Sequence, residues 1–171
     1  MRDGKVKIDA KTLKILKLLM KNSKLSYRQI AKKLGISPTA VISRIRSLEN
    51  AGIIKRYTIE LDYSKLGFDF PVIIEVRVSR GMLAEVEKRI AEHPNVLGVY
   101  DITGDFDVAI LALFKTRKDL DKFVKRLQRL EYVERTYTKL ILNIIKNERN
   151  IDIDRVLKEE VSNEEEEFEL I

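Results

Sequence analysis

Between Ser37 and Ser47 the chain reads Ser-Pro-Thr-Ala-Val-Ile-Ser-Arg-Ile-Arg-Ser, and its polar residues are of the kinds that recognise nucleic acid. The hydroxyls of Ser37, Thr39, Ser43 and Ser47 can exchange hydrogen bonds with base edges and phosphate oxygens. The small Ala40 allows close approach, and Arg44 and Arg46 carry forked donors suited to phosphate or guanine. Val41, Ile45 and Leu48 fall at i, i+4 and i+7, an apolar stripe if the segment is helical. Thr39, Ala40, Ser43, Arg44, Arg46 and Ser47 are then read onto the other face. A helix that is small and cationic outside and apolar inside suits the major groove of duplex DNA.

The neighbouring residues supply what such a helix needs to stand in place. Ser26 followed by Gln29 is a capping box that starts a helix at Tyr27, with Ile30, Ala31 and Leu34 on its inner face. Gly35 is placed to end that helix in a left-handed turn, and Ser37-Pro38 starts the next one as N-cap and first residue. Asp9 caps an earlier helix whose apolar face is read as Leu13, Leu16 and Met20, widened by Ile15, Leu18 and Leu19. Asn50-Ala51-Gly52 closes the recognition helix. Ile53 to Ile59 has β-branched character and is read as a short strand or wing, which sets Lys55 and Arg56 beside flanking phosphates. With Arg28, the expected DNA contacts are Arg28, Ser37, Thr39, Ala40, Ser43, Arg44, Arg46, Ser47, Lys55 and Arg56.

Charge is distributed accordingly. Residues 1–60 hold fifteen lysines and arginines against Asp3, Asp9, Glu49 and Glu60, a net of +11, whereas the whole chain is +6. The remainder is therefore acidic on balance. An ordinary helical hairpin with a solvated basic face would show part of this pattern, but not the concentration of charge on one domain. Cysteine is absent, which excludes disulfides, thiolate zinc and iron–sulfur clusters. His93 is the only histidine, so neither a catalytic triad nor a histidine metal site is expected, and no cofactor is implied; before Pro94 it reads as a surface residue ending a helix. No uncharged apolar run is long enough to span a membrane and no signal-peptide core is visible, which predicts a cytoplasmic protein.

Beyond residue 67 the rhythm changes. Pro71–Val78 reads as a strand, Met82–Glu92 as a helix with Leu83, Val86 and Ile90 inward, and Val96–Thr103 and Phe106–Phe114 as strands around a Gly104-Asp105 turn. Thr116 caps a helix with Leu120, Phe123, Val124 and Leu127 buried, and Tyr132–Ile145 reads as the last strand. The order β-α-β-β-α-β is the ferredoxin-like pattern, whose sheet leaves one face uncovered, so a homodimer is expected. The chain is thus an α+β protein: a helix-turn-helix DNA-binding domain over 1–59, a linker over 60–67, a ferredoxin-like dimerisation domain over 68–146 and an acidic tail over 147–171. Residues 151–171 carry a net charge of −7. A solvated tail is the plain reading, and competition with DNA for the basic head is the sharper one.

These motifs together resemble the Lrp/AsnC, or feast/famine, family of prokaryotic transcription regulators. The matching residues are Ile8-Asp9, Leu13 and Ile15-Leu16, then Ile30-Ala31, Leu34-Gly35-Ile36-Ser37, Val41, Arg44-Ile45, Leu48 and Gly52-Ile53-Ile54. In the second domain they are Val99-Tyr100, Thr103-Gly104-Asp105-Phe106-Asp107, Val133, Thr136 and Thr138. The resemblance spans about residues 5–145 and implies a winged helix-turn-helix head with a RAM-type domain that dimerises through its sheet and assembles towards an octamer. It also implies an amino-acid effector held by Thr103, Gly104, Asp105, Asp107, Thr136 and Thr138; the Gly-Asp pair would equally serve as a tight hairpin turn. Where the family often has Leu-Pro-Gly-Val, this chain has Leu130-Glu131-Tyr132-Val133, and Arg135 replaces a small residue beside the cleft, to fill it or to pair with an acidic effector. The function implied is sequence-specific, effector-modulated regulation of transcription. An architectural, chromatin-like protein that wraps DNA with little sequence preference would share the basic head and the multimer. An enzyme on the same scaffold, such as the relatives that act on tetrapyrroles, would call for more ligands near the cleft than His93.

Overall fold

A computed structural model describes residues 8–79, 81–148 and 150–153. The acidic tail beyond residue 153, and with it the reading of its role, lies outside the described residues. The described residues divide into two compact units, one containing 8–60 together with 148 and 150–153, the other 61–79 and 81–147.

The first unit is built on α1 (Ala10–Lys21), α2 (Tyr27–Leu34) and α3 (Pro38–Asn50). Each start is capped by its own side chain. The Asp9 carboxylate accepts from the Thr12 N–H at 2.8 Å, and Ser26 and Gln29 bond each other's backbone N–H at 3.2 and 2.8 Å. Ser37 accepts from the Ala40 N–H at 3.1 Å. Gly35, at φ 63°, turns the chain between α2 and α3 in the left-handed region that glycine tolerates without strain. Ile15, Leu19, Ile30, Ala31, Val41 and Ile45 form the core, with Leu13 and Leu48 also buried.

Two expectations are corrected here. The buried face of α1 is Thr12, Leu13, Ile15 and Leu19 rather than Leu13, Leu16 and Met20: Ile15 and Leu19 sit one turn apart, while Met20, about 100° further round, is 42% exposed. Residues 53–59 form no strand, and so no paired wing. A strand needs a neighbour for its N–H and C=O groups, and none among the described residues pairs with this stretch. It is tied instead by the Tyr57 hydroxyl, which donates to Glu49 Oε1 at 2.9 Å.

The second unit opens with a short 3₁₀ turn (Ser64–Leu66), followed by β1 (Phe70–Val78), α4 (Leu83–Ala91), β2 (Val96–Asp101), β3 (Val108–Phe114), α5 (Arg117–Leu127) and β4 (Val133–Leu140). The sheet has the order β2-β3-β1-β4 with every neighbour antiparallel, the ferredoxin-like arrangement. Strand alternation sends Val72, Ile74, Val76 and Val78 of β1, with Val108, Ile110 and Ala112 of β3, against Val86 and Ile90 of α4 and Phe123 and Leu127 of α5. Burying each of these larger side chains contributes about 1.5–3 kcal/mol. Ile73, Glu75 and Arg77 alternate onto the opposite face.

The β2–β3 connection is wider than a two-residue turn. Strand pairing stops at Asp101 and Val108, and the Ile102 N–H bonds the Asp107 carbonyl across the loop at 2.9 Å. The last strand ends at Leu140, after which the Ile141 N–H makes one more bond, to Pro71 O. His93 is half-buried rather than on the surface. Its ring meets Phe123 edge-on at 4.6 Å, and Nδ1 accepts from the Asn95 N–H at 3.2 Å. Burial, and then the Arg126 charge, push its pKa down.

Candidate nucleic-acid interface and sheet cleft

On α3, Val41, Ile45 and Leu48 are fully buried and Thr39, Ser43, Arg46 and Ser47 are exposed on the far side. Ala40 is half-buried. Ser37 is exposed, its hydroxyl oxygen engaged in the cap, and Ser47 Oγ donates to the Ser43 carbonyl at 3.0 Å. Arg28 on α2 and Lys55 and Arg56 after α3 are also exposed.

Arg44 departs from the expected set. It follows Val41 by three residues, so it stands on the shoulder of the apolar stripe, roughly 60° from its centre, and not on the outer face. Its Nη1 donates to Asp9 Oδ1 at 2.7 Å and to Thr12 Oγ1 at 2.5 Å, and its side chain is only 30% exposed. Thr12 Oγ1 in turn donates to the same Asp9 oxygen at 2.9 Å. The Asp9 carboxyl is held at about 2, below its usual 3.8. Burial alone would raise it, but the Thr12 N–H and hydroxyl and the Arg44 guanidinium together outweigh burial by favouring the charged form.

In the second unit, the sheet face away from the helices carries an open concavity of about 630 Å³ lined by Glu75, Arg77, Asp105, Phe106, Glu134, Arg135 and Tyr137. Phe106 and Tyr137 stack at 6.3 Å, with the Arg135 guanidinium 5.8 Å from the Phe106 ring centre. Arg77 Nη1 donates to the Asp105 carbonyl, and Lys139 Nζ pairs with Glu75 Oε1 at 2.6 Å. Two guanidinium groups, several carboxylates and an aromatic platform suit a small zwitterion.

The expected effector residues are not gathered in one place. Arg135 faces Arg77 across β1 and β4 and lines the concavity, whereas Thr136 and Thr138 pair with Val76 and Ile74 and so point to the helix side. Thr136 Oγ1 accepts from Gln128 Nε2 of α5 at 3.1 Å. Asp107 is engaged structurally: its Oδ2 accepts from the Val78 N–H at 2.8 Å and lies 3.9 Å from Arg77 Nε. Thr103, Gly104 and Asp105 are exposed in the loop beside the concavity, with Gly104 at φ 121°. The residues missed were Glu75, Arg77, Phe106, Glu134 and Tyr137. The signal was available in the polar alternation of β1 and in the two-residue step from Arg135 to Tyr137. Among the described residues no group of His, Cys, Asp or Glu could hold a metal ion, and no helix is long and apolar enough to cross a membrane.

Residues 8–55 match the model of a winged helix-turn-helix DNA-binding domain, and residues 71–151 that of the Lrp/AsnC ligand binding domain. An uncharacterised HTH-type transcriptional regulator of Pyrococcus furiosus is 38% identical over 86% of this chain and 99% of its own length. Among solved structures, LrpC of Bacillus subtilis is 31% identical, with a TM-score of 0.76 over 83% of this chain and 99% of that one. A transcriptional regulator of Neisseria meningitidis, solved as a complex with L-Met, superposes with a TM-score of 0.80 over 88% of this chain and 99% of that one; at 23% identity it speaks to the fold.

Proposed function

Because the chain belongs to the Lrp/AsnC family of DNA-binding transcription regulators, we propose that it selects its operators through Thr39, Ala40, Ser43 and Ser47 of α3. Arg28, Arg46, Lys55 and Arg56 supply the salt-sensitive attraction to phosphates. The observation that carries this reading is the division of α3, buried along Val41, Ile45 and Leu48 and open to solvent along its hydroxylated face. The family implies oligomers, and paired heads would read a two-fold-symmetric site; an octamer is the assembly we propose. It acts where the chromosome is, in the cytoplasm.

The effector we propose is an amino acid or a related small zwitterion, taken by the concavity around Arg77, Asp105, Phe106, Arg135 and Tyr137. In the Neisseria regulator the bound molecule is L-Met; here the arginines favour a ligand with an additional carboxylate. The test of the DNA reading is selection of genomic fragments by the purified protein at near-physiological salt against excess random DNA. Enrichment of a symmetric site beside a promoter is the expected result, and retention of DNA without any motif would instead mark an architectural protein. Calorimetric titration with the twenty amino acids tests the effector: glutamate or aspartate binding that Arg135→Ala abolishes is expected, and no heat from any of them would overturn it.

A further inference from the structure

We propose that Arg44 is a positioning residue of the recognition helix: clasped by Asp9 and Thr12, it fixes the rotation of α3 on α1 and so decides which side chains face the duplex, without touching DNA itself. The proposal rests on the reading of α3 as the recognition helix. Arg44 Nη1 reaches Asp9 Oδ1 and Thr12 Oγ1 at 2.7 and 2.5 Å, tying residues 35 and 32 positions apart in the chain. Thr12, the buried polar side chain among the described residues, is held between them.

The geometry explains why a directional tie is needed. The rest of α3 is seated by Val41, Ile45 and Leu48, aliphatic side chains whose packing specifies volume more strongly than orientation. A helix with side chains has a radius of roughly 5–6 Å, so a 20° rotation moves its outer atoms by about 2 Å. That exceeds the tolerance of a hydrogen bond to a base edge. Ser43 adjoins Arg44 in the chain, and Ala40 and Ser47 lie one turn away on either side, so whatever holds Arg44 sets the angle of all three.

Charge supports the same assignment. Asp9 is one of only four carboxylates in residues 1–60. Paired at 2.7 Å, it cancels the positive charge of Arg44 at short range, leaving that guanidinium little attraction to spend on phosphate.

The test compares the full chain with Asp9→Asn, Arg44→Met, Arg44→Lys and the double variant Asp9→Asn/Arg44→Met. Affinities are measured on the duplex enriched by the wild-type protein and on a random duplex of equal length, across a salt series. Asparagine caps a helix as well as aspartate does, so Asp9→Asn keeps the start of α1 while removing the charge that holds Arg44. It also adds one unit of positive charge, so simple electrostatics predicts tighter binding to every duplex. A positioning role predicts the reverse on the selected site: about tenfold weaker specific binding, with random DNA bound as well as before or better. Arg44→Met should show a similar specific loss with an unchanged salt slope, Arg44→Lys should recover part of it, and the double variant should be no worse than Arg44→Met alone. If Asp9→Asn leaves specific affinity intact, or if Arg44→Met lowers the salt slope by about one, the proposal falls and Arg44 is a DNA contact. A wild-type chain that prefers no duplex would overturn the reading of α3 as well, a failure separable from that of the clasp.

Discussion

The exposed face of α3 and the open face of the sheet are both offered to a partner, but they are prepared in different ways. The helix is fixed at its start and from behind: Ser37 caps it, Gly35 aims it, and a core of fully buried aliphatic residues seats it. Its exposed side chains stand on a backbone that has little freedom left. The sheet face is a shallower arrangement, in which stacked Phe106 and Tyr137, the Glu75–Lys139 pair and a six-residue loop surround an open concavity. Ile73 is 37% and Tyr100 55% exposed on that face. The head presents a finished surface to DNA, while the sheet leaves an open face with exposed apolar side chains, the kind of surface that a second copy could complete in a family of oligomers.

The largest effects should come from separating the two units. Ile45→Ala removes a fully buried side chain from the head and Ile110→Ala one from the sheet core, and each should cost about 2–5 kcal/mol. We expect Ile45→Ala to abolish DNA binding while the sheet unit still melts as before, and Ile110→Ala to lower the other transition. Calorimetry with DNA binding on the same samples checks this. A single transition shifted equally by both variants would show that the two units fold as one.

Next in size is the pair of turns on which the two faces depend. Gly104, at φ 121°, occupies a conformation almost confined to glycine, so Gly104→Ala should cost about 1–3 kcal/mol, although a Cβ there meets nothing within 4 Å. Gly35, at φ 63°, lies where asparagine is tolerated, and Gly35→Asn should cost a few tenths of a kcal/mol. Denaturant midpoints for the two variants would reverse in order if side-chain crowding, rather than backbone conformation, controlled these positions.

How far these features were legible follows from how local they are. The caps at Ser26 and Ser37 and the turn at Gly35 depend on residues within four positions of one another, and the chain states them directly. The clasp on Arg44 depends on Asp9, 35 residues away, and on a side chain that bends back towards α1; the sequence reading set Arg44 on the outer face with its neighbours, because nothing local announces a partner so distant. Gly104-Asp105 has the composition of a tight hairpin, yet the Asp107 carboxylate is drawn to the Val78 N–H of β1 and the Asp107 N–H bonds Val76 O, which widens the loop. Tyr132 stands where the family often has glycine; its φ of 74° lies in the left-handed region, and its ring packs on the sheet core. The period of two separates Thr136 and Thr138 from Arg135, a division that only becomes plain once β4 is registered on β1.

Acid should distinguish the head from the sheet by about 1 kcal/mol. The carboxyl of Asp9 sits at about 2 when folded and near 3.8 when unfolded, so the unfolded chain binds the proton more readily. The stability it contributes is therefore complete above pH 3.8 and is lost as the pH falls through about 2. The shift would convert to somewhat more, but the pair is partly exposed and screened. Wild type and Asp9→Asn should differ in the melting of the head at pH 6 and draw together as the pH falls to 2, where about half of the folded chains carry the proton, with the sheet transition moving equally in both. A gap as wide at pH 2 as at pH 6 would mean that shape rather than charge links Asp9 to Arg44.

The smallest expected effect lies on the sheet face. Lys139 and Glu75 are paired at 2.6 Å with side chains 47% and 21% exposed, and an ion pair open to solvent contributes about 0.2–1 kcal/mol. Lys139→Met should therefore barely alter the melting of the sheet unit. It does, however, replace a charge beside Tyr137 with an apolar side chain and leaves Glu75 without its partner, two changes that pull association in opposite directions. If a second copy buries this face, the unpaired Glu75 carboxylate is desolvated there and should weaken self-association several-fold in sedimentation runs, with Glu75→Gln/Lys139→Met restoring it. Unchanged association in both variants would show that the face stays open to water in the oligomer, and that the contrast with the head is one of ligand access and not of assembly.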